Sequence, residues 1–340
     1  MEEEQNPQEL PDQIATEDQL FESRIDLSGF RRAVNQVKDE IGKVIVGQHD
    51  MIELLIAAIL ADGHVLIEGV PGVAKTMTAK LMAKSLEIPF SRIQFTPDLM
   101  PSDVLGTSVF NPQTTSFEFK AGPIFSQVVL IDEINRAPAK TQSALFEVME
   151  ERQVTTDGFT RKMDRPFIVI ATQNPIEQEG TYRLPEAQLD RFIFKITVDY
   201  PNPEEELNIL MGHQERKGED KLDAVHAVMP KEEIAVYQKM VQEIMVEPAL
   251  LTYIVEIVQK TRNSKEIYLG ASPRAALGLL TASKAIAAIR GRDFVTPEDI
   301  QFVAVPVLQH RIILTPEREM EGGTSDEVVR NLVDQIEVPR

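Results

Sequence analysis

Continuous apolar runs alternate with stretches of helical period up to about residue 200. The continuous runs predict buried strands at 64–68, 128–133, 167–174 and 192–196. Because strands that alternate with helices favour a parallel, doubly wound sheet, the fold class is predicted to be α/β. Ligands of such sheets bind at the carboxyl ends of the strands. The polar residues that end the first three runs are therefore expected to meet in one crevice.

Helical period appears first from Leu27 to about Ile41 and again from Met51 to Ala61. After Tyr200 the pattern becomes entirely helical. The predicted helices of this second part are 203–211, 230–243, Pro248 to about Lys260, Pro273 to Arg290, and a compact helix that opens at Thr296 with a capping-box pattern and is limited by Pro306. A smaller helical domain is therefore expected after the α/β part.

Two insertions interrupt the α/β part. Residues 106–125 hold two β-favouring runs around a turn at 111–115, and residues 150–166 hold two such runs around Asp157-Gly158. Asp-Gly between β-favouring runs is a strong hairpin signal. Both insertions are predicted to be hairpins added to the sheet.

Charge and pattern together divide the chain into four segments. Residues 1–27 carry nine acidic side chains against Arg24 alone, which predicts a disordered tail. Residues 28–200 are expected to form the α/β core and residues 201–225 a linker. Residues 226–340 are expected to form a helical lid that includes a C-terminal helix.

The composition is that of a globular protein, since 43% of the residues are hydrophobic and 26% are charged. The net charge of −19 disfavours nucleic acid as a partner, because a duplex-binding surface needs a basic face. No apolar stretch approaches the roughly 18–20 residues that span a bilayer. The first residues are acidic where a signal peptide is basic, and there is no cysteine. A cytoplasmic location is the resulting expectation.

Residues 69–76 read GVPGVAKT, follow the first predicted strand and lead into a helix. Loop N–H groups and a helix N-terminus attract phosphate oxygens, Lys75 adds a point charge, and the Thr76 hydroxyl can reach magnesium. Ala74 stands where the pattern GxxxxGK[ST] has its last glycine, and it is expected to keep a negative φ without strain. A turn that binds nothing is the alternative. The predicted nucleotide-binding residues of this segment are Gly69, Val70, Pro71, Gly72, Val73, Ala74, Lys75, Thr76 and Met77.

Polar side chains also follow the next two predicted strands. Asp132 at a strand end can hold magnesium together with Thr76, and Glu133 can polarise a water for phosphoryl transfer. Buried strands often end in one acidic residue by chance, but a spacing of about 55–60 residues from a phosphate loop favours the functional interpretation. Asn174 can orient the water, although a structural cap of the strand end is the favoured explanation when this residue is considered alone.

Three arginines have two interpretations each. Arg191 precedes the fourth strand and forms either a surface ion pair or the arginine that completes a neighbouring subunit's site. Arg274, at the start of a predicted helix, either reaches the γ-phosphate from above or is solvated. Arg136, three residues after Glu133, has the same ambiguity.

The combination resembles the MoxR family of AAA+ ATPases over roughly residues 28–340. The family often has proline at the position of Arg183, so no role is assigned to that residue, whereas alanine at position 74 is usual in the family. The segments that carry the resemblance are GVPGVAKT (69–76), QFTPDLMPSD (94–103), GPIF (122–125), DEINRAP (132–138), ATQNP (171–175), LPEAQLDRF (184–192) and GASPRA (270–275).

The resemblance implies roles for the matched residues. Those roles are Walker A for Lys75 and Thr76, Walker B for Asp132 and Glu133, sensor 1 for Asn174, the arginine finger for Arg191, sensor 2 for Arg274, and the adenine pocket for Val46 and Gly47. The two hairpins resemble the helix-2 and pre-sensor-1 insertions of this branch.

The resemblance also implies a function. It implies ATP and Mg²⁺ as ligands, a homo-oligomeric ring that is expected to be a hexamer, and remodelling or maturation of client protein complexes. Proteins with von Willebrand factor A domains are the clients that it suggests. Two alternatives stay open: a nucleotide-gated scaffold with negligible turnover, and a ring motor on nucleic acid, which the acidic charge disfavours.

Overall fold

The computed structural model describes residues 25–175, 182, 184–215 and 220–339. Positions 1–24 of the predicted tail and Arg183 lie outside the described residues. The helices are α1 (Ser28–Gly42), α2 (His49–Leu60), α3 (Lys75–Ser85), α4 (Pro101–Leu105), α5 (Ala139–Glu151), α6 (Glu186–Leu189), α7 (Pro203–Glu215), α8 (Lys231–Glu243), α9 (Pro248–Asn263), α10 (Pro273–Ile289), α11 (Pro297–Leu308), α12 (Pro316–Met320) and α13 (Ser325–Asp334). The strands are β1 (His64–Gly69), β2 (Phe90–Gln94), β3 (Gly106–Asn111), β4 (Ser116–Ala121), β5 (Val128–Asp132), β6 (Gln153–Thr156), β7 (Phe159–Lys162), β8 (Ile168–Gln173), β9 (Phe192–Val198), β10 (Ile267–Leu269) and β11 (Ile313–Leu314).

The centre of the fold is a five-stranded sheet in the order β2-β5-β8-β1-β9, with every neighbouring pair parallel. The predicted α/β class and its four apolar strands are confirmed. The edge strand β2 was not predicted from the sequence. Only Ile93 of this strand is buried, and polar residues surround it, so the strand lacks the continuous apolar run of its neighbours.

The two insertions form hairpins at the predicted turns. They are not added to the sheet, however, because β3–β4 and β6–β7 are separate two-stranded sheets. That part of the prediction is wrong. The hairpins contact each other instead: the Ser108 hydroxyl donates to Asp157, and the Arg161 guanidinium carbon lies 3.8 Å from the centre of the Phe119 ring.

Alternating side chains of the sheet feed two hydrophobic cores. On one face, Ile67 of β1 belongs to a core that also contains Leu55 of α2 and Ile286 of α10. On the other face, Leu66 belongs to a core with Phe146 of α5. Because α10 and α11 pack against α2 and β9, the C-terminal helices share the first core with the α/β part.

The segment 201–225, expected as a linker, contains α7, and none of the described residues of this helix is buried. The C-terminal helices are joined by a buried carboxylate, since Asp299 at the start of α11 lies 3.0 Å from Arg290 and 2.6 Å from Arg292. Helix α11 continues past Pro306, which was expected to limit it, and ends at Leu308. Within the described ranges, no helix is both long and apolar enough to cross a lipid bilayer.

Candidate functional site

The loop of residues 69–76 joins the carboxyl end of β1 to the first turn of α3. Gly72 has a φ of +91° and Ala74 a φ of +59°, so both adopt the left-handed backbone. The expectation of a negative φ at Ala74 is therefore wrong. An L-residue pays roughly 1–2 kcal/mol for this conformation. The Ala74 carbonyl also accepts the first bonds of α3, from the Thr78 amide at 2.9 Å and the Thr78 hydroxyl at 3.1 Å, so the turn that begins the helix holds the alanine in place.

Close packing fixes the two ends of this loop. A Cβ atom at Gly69 would lie 2.6 Å from the Val198 carbonyl oxygen, so the end of β1 needs glycine for its approach to β9. The Lys75 ammonium donates to the Gly69 carbonyl oxygen across the loop. The segment of Val46 and Gly47 is tied to the same loop through its next residue, Gln48, whose amide donates to the Val73 carbonyl oxygen at 3.2 Å.

A cavity of about 380 Å³ lies against the loop. It brings together the predicted residues of three strand ends, as expected for the carboxyl edge of a parallel sheet. Val46, Gly47, Gly69, Val70 and Val73 are not among its walls. The predicted residues that line it are Pro71, Gly72, Ala74, Lys75, Thr76, Met77, Asp132, Glu133 and Asn174.

The predicted magnesium ligands are neighbours in this cavity. The Thr76 hydroxyl oxygen lies 3.3 and 3.4 Å from the two carboxylate oxygens of Asp132. A second hydroxyl, from Thr172, donates to Asp132 Oδ1 at 3.1 Å and holds this buried carboxylate in place. A hydroxyl beside a carboxylate offers the hard oxygen donors that Mg²⁺ prefers, so the residues present fit this ion.

Glu133 leaves the strand in the left-handed conformation, with a φ of +57°. Its backbone amide donates to the Thr172 hydroxyl at 3.1 Å. Its carboxylate accepts from the Gln94 amide at 2.9 Å and lies 2.9 Å from Arg136 Nε. The structure thus places Arg136 beside Glu133 and gives the carboxylate a defined position at the rim of the cavity.

Four polar residues that line the cavity were not predicted from the sequence as site residues: Lys80, Arg92, Gln94 and Thr172. Arg92 and Gln94 point to it from the unpredicted strand β2, and Arg92 Nε lies 2.6 Å from Asp132 Oδ2. The alternation of Ile93 with polar neighbours after a proline was the available signal for this edge strand.

Arg191 and Arg274 meet on a different surface. Both contact the carboxylate of Glu150 on α5, Arg274 through Nη2 at 2.5 Å and Arg191 through Nε at 3.4 Å. Neither lines the cavity beside the phosphate loop. Arg274 therefore lies on Glu150 and not in the wall of the loop cavity, and its reach to a γ-phosphate stays a prediction. Helix α10, which begins one residue before Arg274, packs on α2.

This surface lies at the amino edge of the sheet. Arg191 directly precedes β9, and Phe192 is level with His64, the first residue of β1. The phosphate loop follows the other end of β1. Because a strand rises about 3.3 Å per residue, roughly 17 Å of strand separate the two regions.

Two buried histidines support the amino edge. His64 bonds the Met149 carbonyl oxygen at 3.1 Å, next to Glu150, and accepts from the Val169 amide at 3.0 Å. His310 bonds the Phe192 carbonyl oxygen at 3.0 Å, next to Arg191. Burial lowers the pKa of His64 to about 3 and lowers the pKa of His310 well below its usual value, so both rings are neutral at pH 7.

Asp190 joins the same edge to the C-terminal helices. Its carboxylate lies 2.7 Å from Arg311 Nε and accepts from the Ser272 hydroxyl at 3.2 Å. Burial lowers the pKa of Arg311, and the Asp190 carboxylate opposes that change by stabilising the charged form. The lid residue Arg274 and the core residue Arg191 are thus held in one arrangement.

Family models match two parts of the chain. The model described as "ATPase family associated with various cellular activities (AAA)" matches residues 64–194, and the AAA lid domain matches residues 259–332. The first range contains the loop, both strand-end carboxylates and Arg191. The second contains Arg274.

Similar proteins match most of the chain. YeaC of Bacillus subtilis is 48% identical over 301 residues, which cover 88% of this chain and 93% of YeaC. Chaperone MoxR1 of Mycobacterium tuberculosis is 42% identical over 320 residues, which cover 92% of this chain and 82% of MoxR1. A crystal structure of a protein from Cytophaga hutchinsonii is similar with a TM-score of 0.85 and 42% identity, covering 93% of this chain and 97% of that one.

Proposed function

The chain belongs to the MoxR family of AAA+ ATPases, and from this premise we propose that it hydrolyses ATP in a homo-oligomeric ring and thereby remodels or matures client protein complexes. One observation carries the proposal. The phosphate loop and both strand-end carboxylates share one cavity, while Arg191 and Arg274 share the opposite edge of the sheet. Each subunit then has all the parts of the reaction, divided between two of its surfaces.

In this proposal the loop binds the nucleotide phosphates. Backbone N–H groups from Gly72 to Thr76 and the N-terminus of α3 provide the donors, and Lys75 provides the positive charge. Val46 and Gly47 belong to the adenine side, where Gln48 links them to the loop. A Cβ atom at Gly47 would lie 2.3 Å from the Glu205 carboxylate, so α7 lies against that side.

Thr76 and Asp132 would hold Mg²⁺, which neutralises charge on the β- and γ-phosphate oxygens during transfer. Glu133 orients the attacking water and accepts its proton. Asn174, at the end of the neighbouring strand, holds the water on the γ-phosphate side. The contacts of Glu133 with Gln94 and Arg136 limit where its carboxylate can point.

The two arginines act on a neighbouring subunit's nucleotide. Since roughly 17 Å of strand separate them from their own loop, a second copy must bring its cavity to the surface around Glu150. Arg191 and Arg274 would then stabilise the negative charge that develops on the transferred phosphoryl group. A ring satisfies this requirement at every interface, because a heterologous contact that closes uses both surfaces of each copy.

The client role rests on two points. One relative is named a chaperone, and the hairpins of this chain expose Phe110, Phe117 and Phe159, which are 48%, 74% and 67% exposed. Large exposed aromatic side chains are typical of protein-binding surfaces. The hairpins are therefore the proposed client-contacting elements, and von Willebrand factor A domains are the proposed client class. The cytoplasm is the proposed location, in line with the absence of cysteine.

The substitution Glu133→Gln tests the hydrolytic function. ATP binding, measured by calorimetry, should stay within about threefold of wild type, and phosphate release should fall by at least about a hundredfold because the base is lost. Glu256→Gln on the exposed side of α9 is the matched control and should hydrolyse like wild type.

Near wild-type single-turnover hydrolysis by Glu133→Gln would contradict the assignment. Tight ATP binding by the wild-type protein with negligible phosphate release, both with and without client, would instead identify a nucleotide-gated scaffold.

A further inference from the structure

The guanidinium of Arg92 lies on the carboxylate that is proposed to hold magnesium. Arg92 Nε is 2.6 Å from Asp132 Oδ2, a charge-assisted contact in a wall of the phosphate cavity. The Asp132 side chain is buried, whereas the Arg92 side chain is 47% exposed. The arginine therefore has room to move, and the carboxylate does not.

The oxygens of Asp132 divide their partners unequally. Oδ1 accepts a hydrogen bond from the Thr172 hydroxyl at 3.1 Å, and Oδ2 pairs with Arg92 Nε. The Thr76 hydroxyl oxygen lies within 3.4 Å of both carboxylate oxygens. A divalent cation bound by Thr76 and Asp132 would lie within a few ångströms of the guanidinium. At that distance the repulsion between the two positive charges is large even at an effective dielectric constant of about 20.

We propose that Arg92 and magnesium are alternative partners of Asp132, so that Arg92 serves as a built-in cation which the metal must displace. The inference rests on the proposed function of the cavity as a nucleotide site. Two consequences follow from it. Arg92 weakens magnesium binding, and it shields metal-free nucleotide from the negative charge of Asp132.

Neighbouring contacts indicate where Arg92 goes when it leaves the carboxylate. Its Nη2 already donates to the Gln94 side-chain oxygen at 3.2 Å, while a different nitrogen of the guanidinium, Nε, contacts Asp132. Gln94 sits at the end of the same strand, level with Asp132 in the sheet. A small rotation about the outer bonds of Arg92 can therefore release Asp132 and keep the Gln94 bond.

Binding of ADP with and without metal tests the proposal. The full chain is titrated calorimetrically with ADP, once in EDTA and once in saturating MgCl₂. The quantity compared is the dissociation constant in EDTA divided by the dissociation constant in MgCl₂. For Arg92→Met this ratio should exceed the wild-type ratio by about tenfold, since only the wild-type protein must break the Arg92–Asp132 ion pair when the nucleotide binds with metal. A direct attraction of Arg92 for phosphate would make Arg92→Met bind ADP more weakly in both buffers, whereas displacement by the metal predicts tighter binding than wild type in MgCl₂. The magnesium concentration that gives half of the full change in ADP affinity should fall by a similar factor.

Two variants act as controls. Arg136→Met removes the equivalent partner of Glu133, which is not a proposed metal ligand, and should keep the wild-type ratio. Arg92→Lys keeps a positive charge and should give a ratio between those of wild type and Arg92→Met. Arg92→Gln, which keeps a polar side chain on β2, replaces Arg92→Met if circular dichroism shows that the latter is unfolded.

An unchanged ratio in a folded Arg92 variant would overturn the inference and leave the proposed function intact. Failure of the wild-type protein to bind ADP in either buffer would refute the proposed function itself.

Discussion

The carboxyl and amino edges of the central sheet are built in different ways. The carboxyl edge is a cavity in which backbone groups, Lys75 and two carboxylates face one space. The amino edge is a surface where two arginines share one carboxylate, that of Glu150. In the proposed function, the first edge encloses the phosphates and the second approaches those of a neighbouring subunit. The difference teaches that Arg191 and Arg274 lie too far from the loop of their own subunit to reach it, since roughly 17 Å of strand separate the two edges.

The two edges are also held by different forces. At the carboxyl edge the backbone itself is constrained, with Gly72, Ala74 and Glu133 all at positive φ. At the amino edge side chains carry the geometry, because the neutral rings of His64 and His310 bond the carbonyl groups next to Glu150 and Arg191. Substitutions of the left-handed residues should change the conformation of the loop at the carboxyl edge. Acid, which protonates histidine, should lower the stability of the amino edge.

The largest expected effect is a loss of ATP turnover that a second subunit can restore, because in the proposed ring the two edges of one active site come from different subunits. Arg191→Ala should lower ATP turnover by about three orders of magnitude or more, because the developing charge loses its arginine. Mixing these subunits with Lys75→Ala subunits should restore turnover, since some interfaces then combine an intact loop with an intact arginine. Phosphate release over a series of mixing ratios measures this rescue. No rescue at any ratio would place Arg191 in the site of its own subunit.

Arg274→Ala should have a smaller effect of the same kind. We expect a loss of turnover of about ten- to a hundredfold, because Arg191 remains on the same surface. Lys75→Ala subunits should rescue this variant as well. If they rescue Arg191→Ala and fail to rescue Arg274→Ala, the two arginines do not serve the same neighbouring site.

Acid should weaken the amino edge. The pKa of His64 is about 3 in the folded protein and about 6.5 in the unfolded chain, so between these pH values the unfolded chain binds the proton more readily. The contribution of His64 to stability is therefore largely present above pH 6.5 and is lost as the pH falls, by about 2 kcal/mol at pH 5. Urea unfolding at pH 7 and pH 5 measures the loss.

His64→Gln is the matched variant for this pH dependence. The glutamine amide keeps a donor and an acceptor but does not titrate, so the stability difference between pH 7 and pH 5 should shrink by about 2 kcal/mol. An unchanged difference would exclude His64 as the source of the acid sensitivity.

The smallest effect concerns the carboxyl edge alone. Ala74→Gly removes the left-handed cost of alanine but adds flexibility to the unfolded chain, and the net gain in unfolding free energy should be about 0.5 kcal/mol. Gly72→Ala, at a φ of +91°, should lower stability by about 1 kcal/mol. Thermal unfolding of both variants checks this contrast. A loss of stability in Ala74→Gly would mean that the alanine methyl packs favourably enough to outweigh its backbone strain.

The sequence was most informative where a signal is local. Continuous apolar runs identified four of the five strands, and Gly69, Lys75 and Asp132 were placed correctly relative to those strands. The sequence was least informative where an element of secondary structure buries only one apolar residue. Strand β2 buries only Ile93, and missing it also removed Arg92 and Gln94 from the predicted cavity.

The sequence by itself determined which residues flank four of the five strands of the central sheet and which chemical groups they bring. Only the tertiary structure decided that Arg274 lies beside Arg191 at Glu150, that Arg92 lies on Asp132, and that the hairpins stand apart from the sheet. The physical reason is that apolar period and motif spacing record interactions within a few residues. The partners of these arginines are 124 and 40 residues away in the chain, and only the packing of helices and strands brings them into contact.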